Sequence, residues 1–508
     1  MPKPFAEPQV ELRPPTFVRP AADAQWFGHP RGLSTLFFTE LWERFSYYGM
    51  RAILVLFMVN AVATGGLGMT DGTATAIYGL YTAAVYLVAL PGGWIADRLL
   101  GQRRSVLYGG LIIAAGHFTL AIPSIATFYL GLILIVVGTG LLKPNISAIV
   151  GDLYPEGGAR RDAGFSIYYM GINVGAFLGP LICGYLGETI NWHLGFSAAG
   201  FGMVLGVIQY VWSSKYLGDA GQVKPEVRAP GARAQALRSL TLGIGGVIGV
   251  ALLLAGLQSA GILQMTLVGF ARATGVFIVV LAAVFLGYVI LFGKLTRAEQ
   301  KRVGVIAVCF LAAATFWSGF EQAGSSMNLF AERLTDRTIL GWEMPASWLQ
   351  SVNPVFIILL APVFSALWLR LGSHNPSIPA KFAYGLLQLG LGFLLMAWAS
   401  VYTANGNLVS PTWLTVTYFF HTTGELCLSP IGLSSITKLS PPRLVGQMMG
   451  IWFMGSAVGN LIAGLVAGLI ESLPLPQLFG TVCLFTAGAG LLLLLFARPI
   501  RNMAGDVK

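Results

Sequence analysis

Phe37-Phe38-Thr39-Glu40-Leu41-Trp42-Glu43-Arg44-Phe45-Ser46-Tyr47-Tyr48-Gly49-Met50-Arg51-Ala52-Ile53-Leu54-Val55-Leu56-Phe57-Met58-Val59 is the stretch from which the rest of the chain is read. It is long enough to cross a bilayer, which takes about 20 predominantly apolar residues. Yet it carries Glu40, Glu43, Arg44 and Arg51. With Tyr47 they are spaced by 3, 1, 3 and 4 residues, which puts all five on one face of a helix. Each such charge costs roughly 2.5–3.5 kcal/mol at the centre of a membrane helix. Charges of this kind persist where they pair with one another or line a cavity, so this face is the first candidate site. A purely structural Glu40–Arg44 pair at i,i+4 is the plainer alternative.

Composition places the rest of the chain in the same setting. Of its 508 residues, 55% are hydrophobic and only 10% are charged, where a soluble protein carries about 25%. This is the profile of an all-α polytopic membrane protein. The net charge of +10 does not point to nucleic acid, because the basic residues sit in short loops between apolar runs. Cys183, Cys309, Cys427 and Cys483 all fall inside apolar runs without metal-ligand spacing, and read as small core residues.

Fourteen apolar segments are long enough to span: 34–62, 74–97, 104–122, 127–151, 161–187, 195–213, 239–258, 266–292, 302–331, 346–370, 380–401, 410–437, 443–470 and 476–497. Lys and Arg divide unevenly between the two sides, with 25 on one and only Arg272, Arg333 and Arg337 on the other; Arg44, Arg51 and Lys143 lie inside spans. That asymmetry predicts both termini in the cytoplasm. Residues 1–33, Pro-rich and without an apolar h-region, read as a cytoplasmic tail.

The chain also resembles itself. Tyr168-Tyr169-Met170-Gly171 aligns with Trp452-Phe453-Met454-Gly455 at an offset of 284, and Lys143-Pro144 aligns with Ser429-Pro430 at 286. Glu43-Arg44 aligns with Glu321-Gln322 at 278. A duplicated six-helix unit follows, with any site between the halves near mid-membrane, the architecture of major-facilitator transporters. The expected divisions are an N-terminal bundle at 34–213, a linker with an inserted helix pair at 214–301 (the pair at 239–292), a C-terminal bundle at 302–498 and a tail at 499–508. The loop Gly93-Trp94-Ile95-Ala96-Asp97-Arg98-Leu99-Leu100-Gly101-Gln102-Arg103-Arg104 resembles the signature between the second and third helices of that superfamily. There Asp97 and Arg98 are expected to latch one conformation at the cytoplasmic helix ends.

Four further motifs narrow the resemblance. Glu40-Leu41-Trp42-Glu43-Arg44-Phe45-Ser46-Tyr47-Tyr48-Gly49 resembles the ExxERFxYYG motif of the proton-dependent oligopeptide transporter family. Phe165 to Gly175, Phe316 to Ser326 and Gly424 to Ser434 resemble that family's fifth-, seventh- and tenth-helix signatures. Prokaryotic members of the family typically have fourteen helices, which fits the inserted pair. The resemblance implies a proton-coupled importer of di- and tripeptides that works by alternating access. The only coupling species it implies is the proton, with no other cofactor. Animal members carry a His in the second helix, where aligning Ile77-Tyr78 puts Gly79, so proton handling is expected to rest on carboxylates.

A short peptide explains the intramembrane charges. It has an ammonium at one end and a carboxylate at the other, and spans roughly 3.3–3.6 Å per residue. Arg51 and Lys143 are the natural carboxylate partners, and Glu425 the natural ammonium partner. Asn173 and Asn353 can bond the peptide backbone, and Ser429 faces the same region by its pairing with Lys143. Tyr47, Tyr48, Tyr86, Trp317 and Trp452 offer apolar walls with polar tips. For Glu425, His421 one turn away is an alternative local partner.

Coupling needs a carboxylate whose proton affinity changes with its surroundings. Glu321, protonated when its cationic partner is away and ionised when Arg51 or an incoming substrate changes the field, is the first candidate. Glu40 and Glu43, exchanging between Arg44 and Lys143, are the second.

No P-loop, catalytic triad or metal constellation occurs in a plausible setting, so no enzyme is expected. Gly243-Ile244-Gly245-Gly246-Val247-Ile248-Gly249 has the wrong spacing for a dinucleotide loop and lies in an apolar helix. Competing readings are uptake of another anion or zwitterion, such as nitrate or a peptide-like drug, and a nutrient receptor using the same site. The expected setting is a bacterial inner membrane, with lipid as neighbour and a monomer as the working unit.

Overall fold

The structure, a computed structural model, describes residues 26–222 and 230–505. Most of the predicted N-terminal tail, part of the 214–301 linker and the last three residues lie outside the described residues. Fourteen helices of 19 or more residues account for most of the rest. In chain order they are α1 (Gly32–Val59), α2 (Asp71–Ile95), α3 (Gln102–Leu120), α4 (Ile125–Asp152), α5 (Gly158–Gly184), α6 (Trp192–Ser213), α7 (Pro230–Ser259), α8 (Leu267–Phe292) and α9 (Arg297–Phe320). After a short α10 (Ser326–Leu334) come α11 (Val352–Leu371), α12 (Ile378–Tyr402), α13 (Thr412–Leu439), α14 (Val445–Ala467) and α15 (Leu475–Leu495), then a short α16 (Ala497–Ala504).

Each predicted span meets a helix. Among the described residues eleven helices are long and apolar enough by composition to cross a membrane. The other three are α1, α3 and α13. The charges of α1 and the Thr, Ser, His and Glu content of α13 lower the hydropathy of those two helices. Two boundaries move. Helix α7 starts nine residues before the predicted 239, since Ala and Arg are good helix formers beyond the apolar run. The expected tail at 499–508 is helical through Ala504, because Ala497, Ile500 and Ala504 form a buried face that docks on α9 and α12.

Packing sorts most helices into two groups. Helices α1 and α5, α1 and α6, α3 and α4, and α2 and α4 pack closely, as do α12 and α15, α12 and α13, and α9 and α13. The groups meet along α2 against α14 and α5 against α11. Glycines make the first seam close, with Gly72 facing Gly468 and Gly79 facing Gly464.

One break positions the site. After Phe320 the chain tightens into a 3-10 turn, Glu321–Gly324, before α10. Gln322 holds the turn, donating to Ser318 O at 3.0 Å and accepting from Ser326 Oγ at 2.8 Å. Glu321 therefore sits at a helix end and projects toward α1. Five of the helices around the site, α2, α4, α5, α11 and α13, carry an internal proline, which removes a backbone hydrogen bond and bends a helix.

Candidate functional site

A cavity of about 970 Å³ opens between the two groups of helices, at the upper end of the usual range for a small-molecule site, about 300–1,000 Å³. Tyr48 and Arg51 line it from α1, Tyr86 from α2, Lys143 from α4 and Asn173 from α5. Across from them are Trp317 and Glu321, Asn353 on α11, Glu425 and Ser429 on α13, and Trp452 on α14.

Its charges fall into three arrangements. Arg51 Nη1 lies 3.0 Å from Glu321 Oε2, a buried ion pair joining the two groups of helices. Arg51 also lies over the rings of Tyr48 and Tyr78, at 5.3 and 5.9 Å. Arg44 Nε is 3.1 Å from Glu40 and 2.5 Å from Glu43, all buried within the N-terminal group. These pairs are close in distance but off-line as hydrogen bonds, leaving Glu321 Oε2 and Arg44 Nε without an aligned donor–acceptor partner. Such pairs keep their Coulomb attraction and lose the directional part.

Lys143 and Glu425 are the third arrangement. Among the described residues neither has an oppositely charged group within 4.0 Å. Lys143 Nζ sits 4.4 Å from the Tyr86 ring centroid. Glu425 Oε2 accepts from Asn353 Nδ2 at 3.4 Å, and the same amide donates to Thr422 Oγ1 at 2.9 Å. One cation and one acid, half-buried and contributed by different groups of helices, face the same space.

Several expected placements are corrected. Tyr47 does not line the cavity; it is buried, stacked on Tyr81 at 6.3 Å and close to Arg44. Glu40, Glu43 and Arg44 also lie behind the cavity wall. His421 is not the partner of Glu425. It packs on Phe393 at 4.9 Å, and Asn353 takes the carboxylate. Asn173 already donates to Tyr169 O at 2.9 Å, which leaves its carbonyl oxygen for a ligand. Asp97 and Arg98 stand exposed at the end of α2 with no ion pair among the described residues.

The end of the cavity away from the Lys/Arg-rich loops is closed. Arg333 donates twice to Asp71, at 2.6 and 2.9 Å. Asn328 donates to Ala52 O at 2.8 Å. The Glu188 carboxylate, just past α5, accepts from the backbone N–H groups of Ala346 and Ser347 at 2.7 and 3.0 Å. At the other end Phe165, Ser166, Ala361 and Ser365 still line open space. The cavity is thus open at the end nearest the Lys/Arg-rich loops, inward on the predicted orientation, where Asp97 has no ion pair among the described residues. Sequence reasoning missed these outer ties. A signal existed for one of them, since Arg333 is one of only three basic residues on its side and invites an acid partner.

Position 79 leaves little room for a side chain. A Cβ on Gly79 would lie 3.0 Å from Asn460 O and 3.1 Å from Gly464 Cα. Overpacking of this sort costs about 1–3 kcal/mol, and here it falls on the form closed at the outer end. Gly79→His is therefore expected to shift the protein toward the outward-open form. Labelling of a cysteine placed in the outer half of the cavity with a membrane-impermeant reagent should speed up, and unchanged labelling would show that the seam absorbs the ring.

A cavity between two helical groups, shut at one end by ties and open at the other, is the arrangement of a secondary transporter of the membrane. A family model described as the POT family matches residues 103–479. The chain is 40% identical to a peptide transporter of Yersinia enterocolitica subsp. palearctica, over 95% of this chain and 97% of that one. It is 36% identical to a di-/tripeptide transporter of Lactococcus lactis subsp. cremoris, over 95% and 98%. A crystal structure of a peptide transporter POT in complex with alafosfalin superposes with a TM-score of 0.87 at 43% identity, covering 95% of this chain and 97% of that one. The chain belongs to the POT family, the proton-dependent oligopeptide transporters.

Proposed function

We propose that this protein is a proton-coupled symporter that imports di- and tripeptides across a bacterial inner membrane. The observation that carries this is the pair of unneutralised groups in one cavity, Lys143 on one side and Glu425 on the other. A peptide zwitterion neutralises both, its carboxylate at Lys143 and its ammonium at Glu425. A dipeptide or tripeptide spans about 7–11 Å at 3.3–3.6 Å per residue, well within the cavity. Asn173 and Asn353 supply polar contacts to the backbone. Tyr48, Tyr86, Trp317 and Trp452 accept side chains of varied shape, so selectivity is broad.

The Arg51–Glu321 pair is the proposed coupling element. A proton on Glu321 removes the charge that holds Arg51, and loosens the tie between the two bundles. The moving bodies are 34–213 and 302–498, with 214–301 between them. Glu40, Glu43 and Arg44 set the field behind the wall. One chain holds the whole cavity, which supports action as a monomer in lipid.

The names of the relatives favour peptides over nitrate. The test is labelled dialanine uptake into proteoliposomes with an imposed pH gradient, competed with a peptide panel. Saturable accumulation that collapses with the gradient is expected. Binding without flux would favour a receptor, and a gradient-insensitive flux would remove the proton.

A further inference from the structure

The inserted pair, α7 and α8, has no place in the duplicated unit, yet it is in contact with both bundles. Ahead of the pair, the turn Gly218–Gly221 that follows α6 is clasped by the N-terminal bundle. Arg103 on α3 donates through Nε to Ala220 O at 2.6 Å and through Nη2 to Gly218 O, and its backbone N–H reaches Gly221 O. Asp152 at the end of α4 accepts from Gly221 N at 3.2 Å. Gly221 has φ +73°, and a Cβ there would strike Ile149 and Arg103, so the turn is seated as closely as a backbone can be.

At the finish, the C-terminal bundle takes over. Arg443, just before α14, donates to Gly293 O at 2.7 Å and Lys294 O at 3.0 Å, the carbonyls that end α8. A cation on a helix C-terminus forms charge-assisted bonds of the stronger kind. Between these clasps α7 is exposed along its membrane-crossing length and touches the Ala96–Leu100 turn of the N-terminal bundle. Helix α8 instead packs on both α14 and α2, burying Ala271, Ile278, Ala282, Leu286 and Val289 on one face. It therefore lies over the seam where the bundles meet.

We infer that the inserted pair is a brace between the two bundles: α8 splints the α2–α14 seam, α7 rests on the Ala96–Leu100 turn, and the Arg443 clasp fixes the end of α8 to the C-terminal bundle, setting how far the cytoplasmic mouth opens. A passive pair that only fills lipid needs no clasp and would not pack on both bundles. The signature loop acquires a second role in this reading. Its Ala96–Leu100 turn meets α7, while Asp97 has no ion pair among the described residues in this conformation.

The test measures the mouth directly and needs no substrate, so it stands apart from the transport reading. Spin labels go on Asp162→Cys and Lys438→Cys, both exposed and on opposite bundles, in a background with the four native cysteines replaced. Distances are compared by pulsed EPR for the intact protein, for Arg443→Ala, and for the double variant Ile278→Ala/Leu286→Ala, which thins the buried face of α8. Release of the brace should lengthen and broaden the distance distribution in both. If Arg443→Ala does not fold, the α8 variant decides alone. Distributions equal to those of the intact protein would overturn the proposal.

Discussion

Glu321→Gln is expected to abolish uphill, proton-driven uptake while leaving counterflow exchange intact. Gln is close in shape to Glu and keeps the geometry of the 3-10 turn, but it neither ionises nor takes up a proton at neutral pH. The variant is thus locked in the electrical state of the protonated protein, with Arg51 released from its 3.0 Å partner. Removing one member of a buried pair costs about 3–5 kcal/mol when the other charge is left uncompensated. Here Arg51 keeps part of its environment through the rings of Tyr48 and Tyr78, so the loss should stay below that and the protein should fold. Exchange asks only that the loaded carrier reorient, which no longer needs a proton to come or go. Net accumulation does need that step. The measurement is dialanine accumulation against its gradient in proteoliposomes, set beside exchange of labelled for unlabelled peptide. Wild-type accumulation in this variant would remove Glu321 from coupling.

How much of this was legible in the residues depends on the kind of interaction. Helix positions were readable because bilayer thickness imposes a length and composition on every span, and α1 was readable in spite of its charges because they share a face. The pairing of Arg51 with Glu321 was anticipated only in outline. The two lie on α1 and just past α9, and nothing local says which of several buried cations meets which acid. Tyr47 was misplaced for a geometric reason. It lies at the edge of its face away from Tyr48 and is turned toward Tyr81 in the interior of its own bundle, while Arg51 and Tyr48 meet the cavity. The Glu188 contact left no trace because its partners are backbone N–H groups. The clasps around the inserted pair were hidden likewise, since Arg103 and Arg443 bind carbonyls that any residue could supply.

The second large effect concerns the ends of the substrate. Lys143→Ala should weaken binding of peptides with a free C-terminus far more than of the same peptides amidated, and Glu425→Gln should do the same for a free against an acetylated N-terminus. Among the described residues neither group has an oppositely charged partner within 4.0 Å, so replacement breaks no ion pair and the cost falls on the ligand. A hydrogen bond to a charged group contributes about 1.5–3 kcal/mol, which corresponds to about 10- to 100-fold in affinity. The crossed design separates recognition from structural damage. A folding defect lowers affinity for every peptide in proportion, whereas loss of an end contact acts on one modification and not the other. Isothermal titration of dialanine, its amide and its N-acetyl form against both variants gives the four ratios required. Equal losses for free and amidated peptides in Lys143→Ala would argue against carboxylate recognition by Lys143; in a variant shown to be folded they would leave it to Arg51, the other cation lining the cavity. That would require the Arg51–Glu321 pair to part on substrate binding, with the substrate carboxylate taking Glu321's place just as the proton neutralises it. The Lys143 ratio therefore decides whether substrate and proton act at separate groups or compete for one.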